Sequence, residues 1–116
     1  MQLNEVCVYQ VKPDKTEAFE AIVKAISKFF EENEDVLYHS FTKRTHRLES
    51  METIRAGTPP KVLTKVVKSV KYVMYFETVD PVMHGEVTKV FFERFDKEMS
   101  RCLLVPGDKY IGCDLE

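Results

Sequence analysis

The chain has 116 residues, 17 of them Lys or Arg against 19 Asp or Glu, a net charge of -2, and 44% hydrophobic and 31% charged residues. That is enough chain for one domain with a sizeable core, and it carries no overall field to draw a polyanion, so wholesale nucleic-acid binding is not expected. No apolar run reaches the ~20 residues of a membrane span, and the first ten residues lack a basic region followed by an apolar one, so neither a membrane nor export is expected and the cytoplasm is the default location.

Residues 6–11 alternate with apolar side chains on both faces, as in a strand buried on two sides. Pro13 and Asp14 then make a turn, with Asp14 placed to cap a helix and Glu17 three residues on to complete a capping box. Phe19, Ile22, Val23, Ile26, Phe29 and Phe30 recur at helical spacing with charged residues opposite, which predicts an amphipathic helix to about Glu32. Residues 36–44 predict a second strand, with Leu37, His39 and Phe41 on one face.

Residues 45–69 form too long a connection to lack order. Thr58 ahead of two prolines, followed by apolar Val62, Leu63, Val66, Val67 and Val70, favours a short inserted helix. A long hairpin turning at Gly57 to Pro60 is the competing reading. Residues 70–79 predict a third strand, again apolar on both faces. Asp80-Pro81 opens a second amphipathic helix carrying Met83, Val87, Val90, Phe91, Phe95 and Met99, and residues 109–115 predict a last strand.

Strand, helix, strand, strand, helix, strand is the split pattern of a ferredoxin-like α+β fold with an antiparallel sheet and an insertion between the second and third strands. Two helices cover one face of such a sheet, while three strands are apolar on both. A second copy of the chain, packed sheet to sheet in a homodimer, is the expected cover.

Residues 8–26 and 72–95 resemble the antibiotic-biosynthesis-monooxygenase-like domains of the dimeric α+β barrel superfamily: a strand, a Lys-Pro turn and a helix with an early Phe19, then a strand ending in Glu77 and a helix bearing His84 and aromatics. This resemblance implies a small aromatic or polyketide-like ligand held between sheet and helices, in some members oxidised by dioxygen without cofactor. Members that degrade haem, and several quinone-forming monooxygenases, depend on a Trp, and this chain has none, which leaves haem binding as a third and less favoured reading. The interval from Glu77 to His84 is shorter than the family's, and the insertion is an addition to it.

His39 and His84 are the candidate bases, since an unperturbed imidazole has its pKa near neutrality. Tyr9, Tyr72, Tyr75 and Phe91 are candidate ligand contacts; for each, packing in the core is the bland alternative. A binding or assembly module without turnover is the competing function. Lys43, Arg44, His46, Arg47, Lys61, Lys65 and Lys68 form a basic run that suits an anion or, more simply, a solvated face. Cys7, Cys102 and Cys113 read as buried thiols, with a Cys7–Cys113 disulfide as an alternative. No metal motif and no phosphate loop is present, and no cofactor is expected.

Overall fold

The structure, a computed structural model, describes residues 1–65 and 68–116. Along the chain it has β1 (Leu3–Val11), α1 (Thr16–Glu31), β2 (Val36–Lys43), β3 (His46–Arg47), α2 (Met51–Arg55), β4 (Lys61–Val62), β5 (Val70–Thr78), α3 (Pro81–Cys102) and β6 (Asp108–Gly112). Every second side chain of β1 from Glu5 to Val11 and of β5 from Tyr72 to Thr78 is buried. The two strands pair antiparallel, Cys7 opposite Met74 and Tyr9 opposite Tyr72, so these side chains share one face. β2 adds to β5 and β6 to β1, giving the antiparallel order β2-β5-β1-β6 of the expected ferredoxin-like fold.

Both long helices lie on that buried face. Phe30 of α1 stacks on Phe76 of β5 at 4.8 Å and on Phe91 of α3 at 6.0 Å, and Phe19 meets Tyr72 at 4.8 Å and Tyr9 at 5.6 Å. Aromatic rings of this size bury enough apolar surface to dominate the energetics of the layer. α3 starts as its sequence predicts: the Asp80 carboxylate accepts from the Met83 N–H at 2.8 Å and Pro81 takes the first turn. Among the described residues no helix is long and apolar enough to cross a membrane.

Several local expectations are corrected. Asp14 does not cap α1: residues Pro13–Lys15 form a 3-10 turn, and the helix begins at Thr16 with no side-chain cap. A bulge between Val36 and Tyr38 takes Leu37 off the face of His39 and Phe41 and leaves it 52% exposed. The insertion's helix is α2, before Gly57 rather than after Thr58. Ser50 caps it in reciprocal hydrogen bonds with Thr53, and Gly57 leaves it at a positive φ of 74° that suits glycine. Lys61 and Val62 are strand, paired with Arg47 and His46, so the β-branched preference outweighed the helical spacing there. Val66 and Val67, assigned to that helix's apolar face, lie outside the described residues. β6 stops at Gly112. Cys7 is opposite Lys109 and buried, Cys113 is exposed, and all three cysteines are free.

Among the described residues no helix covers the second face of the sheet. Val6, Val8, Val73 and Tyr75 lie on it, each only partly buried, and Tyr38 sits 5.9 Å from Tyr75.

Candidate functional site

In β1 the alternation that buries Cys7, Tyr9 and Val11 extends back to Glu5, which puts a carboxylate 1% exposed into the apolar layer. A buried charge needs partners. His84, on the first turn of α3, supplies one: its Nε2 lies 3.0 Å from Glu5 Oε1, its Nδ1 lies 2.8 Å from Thr78 Oγ1, and its ring stacks on Phe76 at 5.2 Å. An ionised Glu5 only accepts, so Nε2 carries a proton; in the neutral ring Nδ1 then accepts from the Thr78 hydroxyl. Among the described residues, Glu5 Oε2 is the buried side-chain oxygen left without a hydrogen bond. Lys109 of β6 reaches toward it, its Nζ at 3.6 Å.

The same ammonium lies 4.3 Å from the centre of the Phe92 ring and 5.6 Å from that of Phe91, a cation–π arrangement. It stands on the wall of a half-open cleft of about 420 Å³ between the second half of α3, residues 103–107 and β6. Tyr9 forms the floor and Phe91, Phe92, Leu104 and Val105 much of the wall, with Asp96 as the anionic group. That volume lies within the range of small-molecule pockets. Burial, followed by the neighbouring Cys7, pushes the Tyr9 phenol far above its usual range, so it stays protonated and is no base. Burial likewise raises the Cys7 thiol, which leaves it a weak nucleophile.

Gly107 closes the cleft over that floor. A Cβ there would lie 2.9 Å from both Cys7 Sγ and Tyr9 Cε1. Gly107→Ala is therefore expected to displace the Tyr9 ring at a cost of about 1–3 kcal/mol, measurable by urea unfolding, because the close-packed floor has no slack.

Of the residues singled out from the sequence, Tyr9 and Phe91 line this cleft, and His84 stands behind it through Glu5 and Lys109. His39 lies on the opposite edge strand, its ring 5.5 Å from Phe30. Tyr72 donates to Glu20 Oε2 of α1 at 2.6 Å, and burial with that carboxylate raises its phenol. Tyr75 is on the other face, where its hydrogen bond to Glu77 at 2.6 Å pushes its phenol up to about 12. Glu5, Lys109 and Gly107 were not singled out. The signal for Glu5 was available, since the alternation of Cys7, Tyr9 and Val11 continues back to it.

Tyr72 and Lys43, the latter at 2.9 Å, hold the Glu20 carboxyl below its usual range. A lowered carboxyl stabilises the fold above its unfolded pKa of ~4.3 and loses that contribution as pH falls through the folded value. Glu20 is 46% exposed, so screening keeps the effect below ~1 kcal/mol. In urea unfolding, the difference between wild type and Glu20→Gln is expected to shrink between pH 5 and pH 3, taken as roughly one unit either side of that value.

The sheet order, the helices on one face and the small-molecule-sized cleft define a ferredoxin-like α+β protein. No family model matches the sequence, and no curated protein matches it either. Solved structures do match over nearly the whole chain. Rv0793 from Mycobacterium tuberculosis superposes with a TM-score of 0.72 at 10% identity, covering 100% of this chain and 97% of its own. A candidate antibiotic biosynthesis monooxygenase from Nitrosomonas europaea gives 0.68 at 14%, covering 98% and 90%. SnoaB from Streptomyces nogalater, a cofactor-independent oxygenase, gives 0.63 at 12%, covering 99% and 94%. This chain thus has the fold of antibiotic-biosynthesis-monooxygenase-like proteins, as the resemblance of its two strand–helix units implies.

Proposed function

We propose that this protein oxidises a small hydroquinone-like or polyketide-like aromatic molecule in the α3–β6 cleft, using dioxygen and no cofactor. The observation that carries the reading is an apolar cleft with one ammonium on its wall, Lys109, backed by the buried Glu5–His84 pair. The likeness in fold to SnoaB and the Nitrosomonas protein supports it.

Lys109 and Asp96 offset one another, so the substrate enters neutral. Its ring lies among Phe91, Phe92 and Leu104, and one hydroxyl gives its proton to the Asp96 carboxylate while the charge of Lys109 stabilises the anion left in a water-poor site. The electron-rich ring carbon then bonds to one oxygen of dioxygen, the peroxide takes the proton back from Asp96, and the hydroperoxide loses water to leave a carbonyl. In sum, a hydroquinone plus dioxygen gives a hydroxyquinone plus water, the substrate supplying all four electrons. Glu5 holds Lys109 in place, and His84 and Thr78 hold Glu5. Tyr9 offers a hydrogen bond or a packing surface. His39, Tyr72 and Tyr75 have no part in this reading.

The test is oxygen uptake over a panel of hydroquinones. Wild type is expected to turn over at least one, with one labelled oxygen from ¹⁸O₂ in the product, and Lys109→Met to lower kcat/KM by roughly a hundredfold, the loss typical of one electrostatic stabiliser. No uptake by wild type with any member of the panel, or equal rates for Lys109→Met, would sink the proposal. Among the described residues no histidine lines the cleft, which favours a second reading, a module that binds such a molecule without turning it over. Saturable ligand fluorescence without oxygen uptake would mark that case.

The helix-free face of the sheet supports a homodimer packed through Val6, Val8, Val73 and Tyr75. Apolar strand surface of this kind is seldom left to water.

A further inference from the structure

The insertion is ordered, yet it has nothing of its own to fold around. Reciprocal hydrogen bonds between Ser50 and Thr53 start α2, β3 pairs with β4, and the Leu63 N–H donates to the Thr45 carbonyl at 2.9 Å. Of residues 44–65 none is buried, and only Thr53 and Leu63 are half-buried. Leu48, Met51, Ile54 and Val62 are all exposed. Fixing such a segment costs conformational entropy that buried apolar surface normally offsets, and a five-residue helix does not hold in water unaided. The radius of gyration, 16.1 Å against about 13 Å for a compact chain of this length, fits an arm that stands off the domain.

The arm also differs from the rest of the chain in charge. Residues 44–68 have six Lys or Arg and two Glu, a net +4, so a chain of net charge -2 is at -6 elsewhere. Among the described residues Arg44, Arg55, Lys65 and Lys68 make no ion pair. At the other end of β2 the sign is reversed. Glu31, Glu32, Glu34 and Asp35 crowd the end of α1 and the turn before Val36, where Lys28 stands 4.0 Å from Glu32. Leu37 and Tyr38 follow directly, 52% and 53% exposed. β2 has eight residues, so the basic arm and the acidic turn lie about 25 Å apart and do not meet within one chain.

We infer that the arm of each copy clasps the acidic turn of the other, Met51 and Ile54 lying on Leu37 and Tyr38 and the arm's cations beside Glu31 and Glu34; this placement rests on the homodimer proposed above. Met51 and Ile54 are three residues apart on α2 and so share a side of it. Tyr38, 5.9 Å from Tyr75, joins the acidic turn to the helix-free face. Charge selects the orientation of the two copies. A two-fold axis lying between the sheets and across the strands reverses the partner's strands, which brings each arm over the far end of the partner's β2. An axis along the strands would set both basic arms at one end of the dimer, where they repel.

Sedimentation equilibrium of the full chain gives the dimer dissociation constant for wild type, for Arg55→Glu with Lys65→Glu, for Glu31→Lys with Glu34→Lys, and for all four changes together. These four side chains are exposed in the single chain, so the circular-dichroism spectrum is expected to stay that of wild type. Each pair of changes is expected to raise the dissociation constant at least about tenfold, because two-fold symmetry counts every contact twice. The fourfold variant is expected to lose no more than either pair alone, since changes that remove the same contact are not additive. An unchanged or tighter dimer with either pair, or losses that add in the fourfold variant, would overturn the inference and leave the homodimer standing. Wild type found as a monomer would overturn both.

Discussion

His84→Leu is expected to lower the stability of the protein by about 3 kcal/mol, the cost of leaving a buried carboxylate oxygen without its hydrogen-bond donor. The substitution keeps an apolar side chain on Phe76 but leaves Glu5 with both oxygens short of a donor, because Lys109 stands 3.6 Å away and is the remaining cation near it. For a domain whose total stability is ~5–15 kcal/mol, such a loss is severe. Glu5→Leu combined with His84→Leu is expected to regain most of it, since replacing both partners with apolar groups removes the uncompensated charge. Urea unfolding of wild type, the two single variants and the double variant at one protein concentration gives the coupling energy directly. A His84→Leu variant within ~1 kcal/mol of wild type would show that Glu5 is not held by this ring.

The size of that effect follows from where the pair sits. Glu5 is on β1, Thr78 on β5, His84 on α3 and Lys109 on β6, so a single polar chain ties three strands to a helix in an otherwise apolar layer. It ends at the wall of the cleft, where it fixes the position of Lys109, the one cation lining the cleft among the described residues. Packing and chemistry therefore meet in Lys109, whose stem lies against Phe92 and whose head is shared between Glu5 and any ligand.

The parts of the fold that local pattern governs were legible in the sequence. Phe19, Ile22, Ile26, Phe29 and Phe30 are buried as their spacing predicts, and Asp80-Pro81 starts α3 by the chemistry of the two residues themselves. Glu5 was missed because a charged side chain beside Asn4 reads as the solvated lead into a strand, although it keeps the phase of Cys7 and Tyr9. The cleft was hidden for a different reason. Its wall brings Tyr9 together with residues 99–109, a junction made by the return of the chain from α3 to β6 and not by any local motif. In the insertion two local signals competed. The valines after Pro60 suited a strand, and Ser50 could cap a helix through Thr53, but the commoner capping-box partner is Glu or Gln, so the start of α2 went unmarked.

Val73→Glu is expected to convert the proposed dimer into a monomer at micromolar concentration. Val73 lies on central strand β5 directly opposite Val8 of β1, in the middle of the helix-free face and away from both sheet edges. Two-fold symmetry would bring two copies of the new carboxylate into one interface, each stripped of water and facing the other. Like charges placed together in this way cost several kcal/mol, roughly a thousandfold or more in the dissociation constant. In the separated chain the same side chain stands in solvent on a face already partly exposed, so folding is expected to survive, and an unchanged circular-dichroism spectrum checks that. Sedimentation equilibrium then compares wild type with the variant. Wild type found as a monomer, or a Val73→Glu variant as dimeric as wild type, would mean that this face is not where two copies meet, and that Val6, Val8 and Tyr75 remain open to water for some other reason.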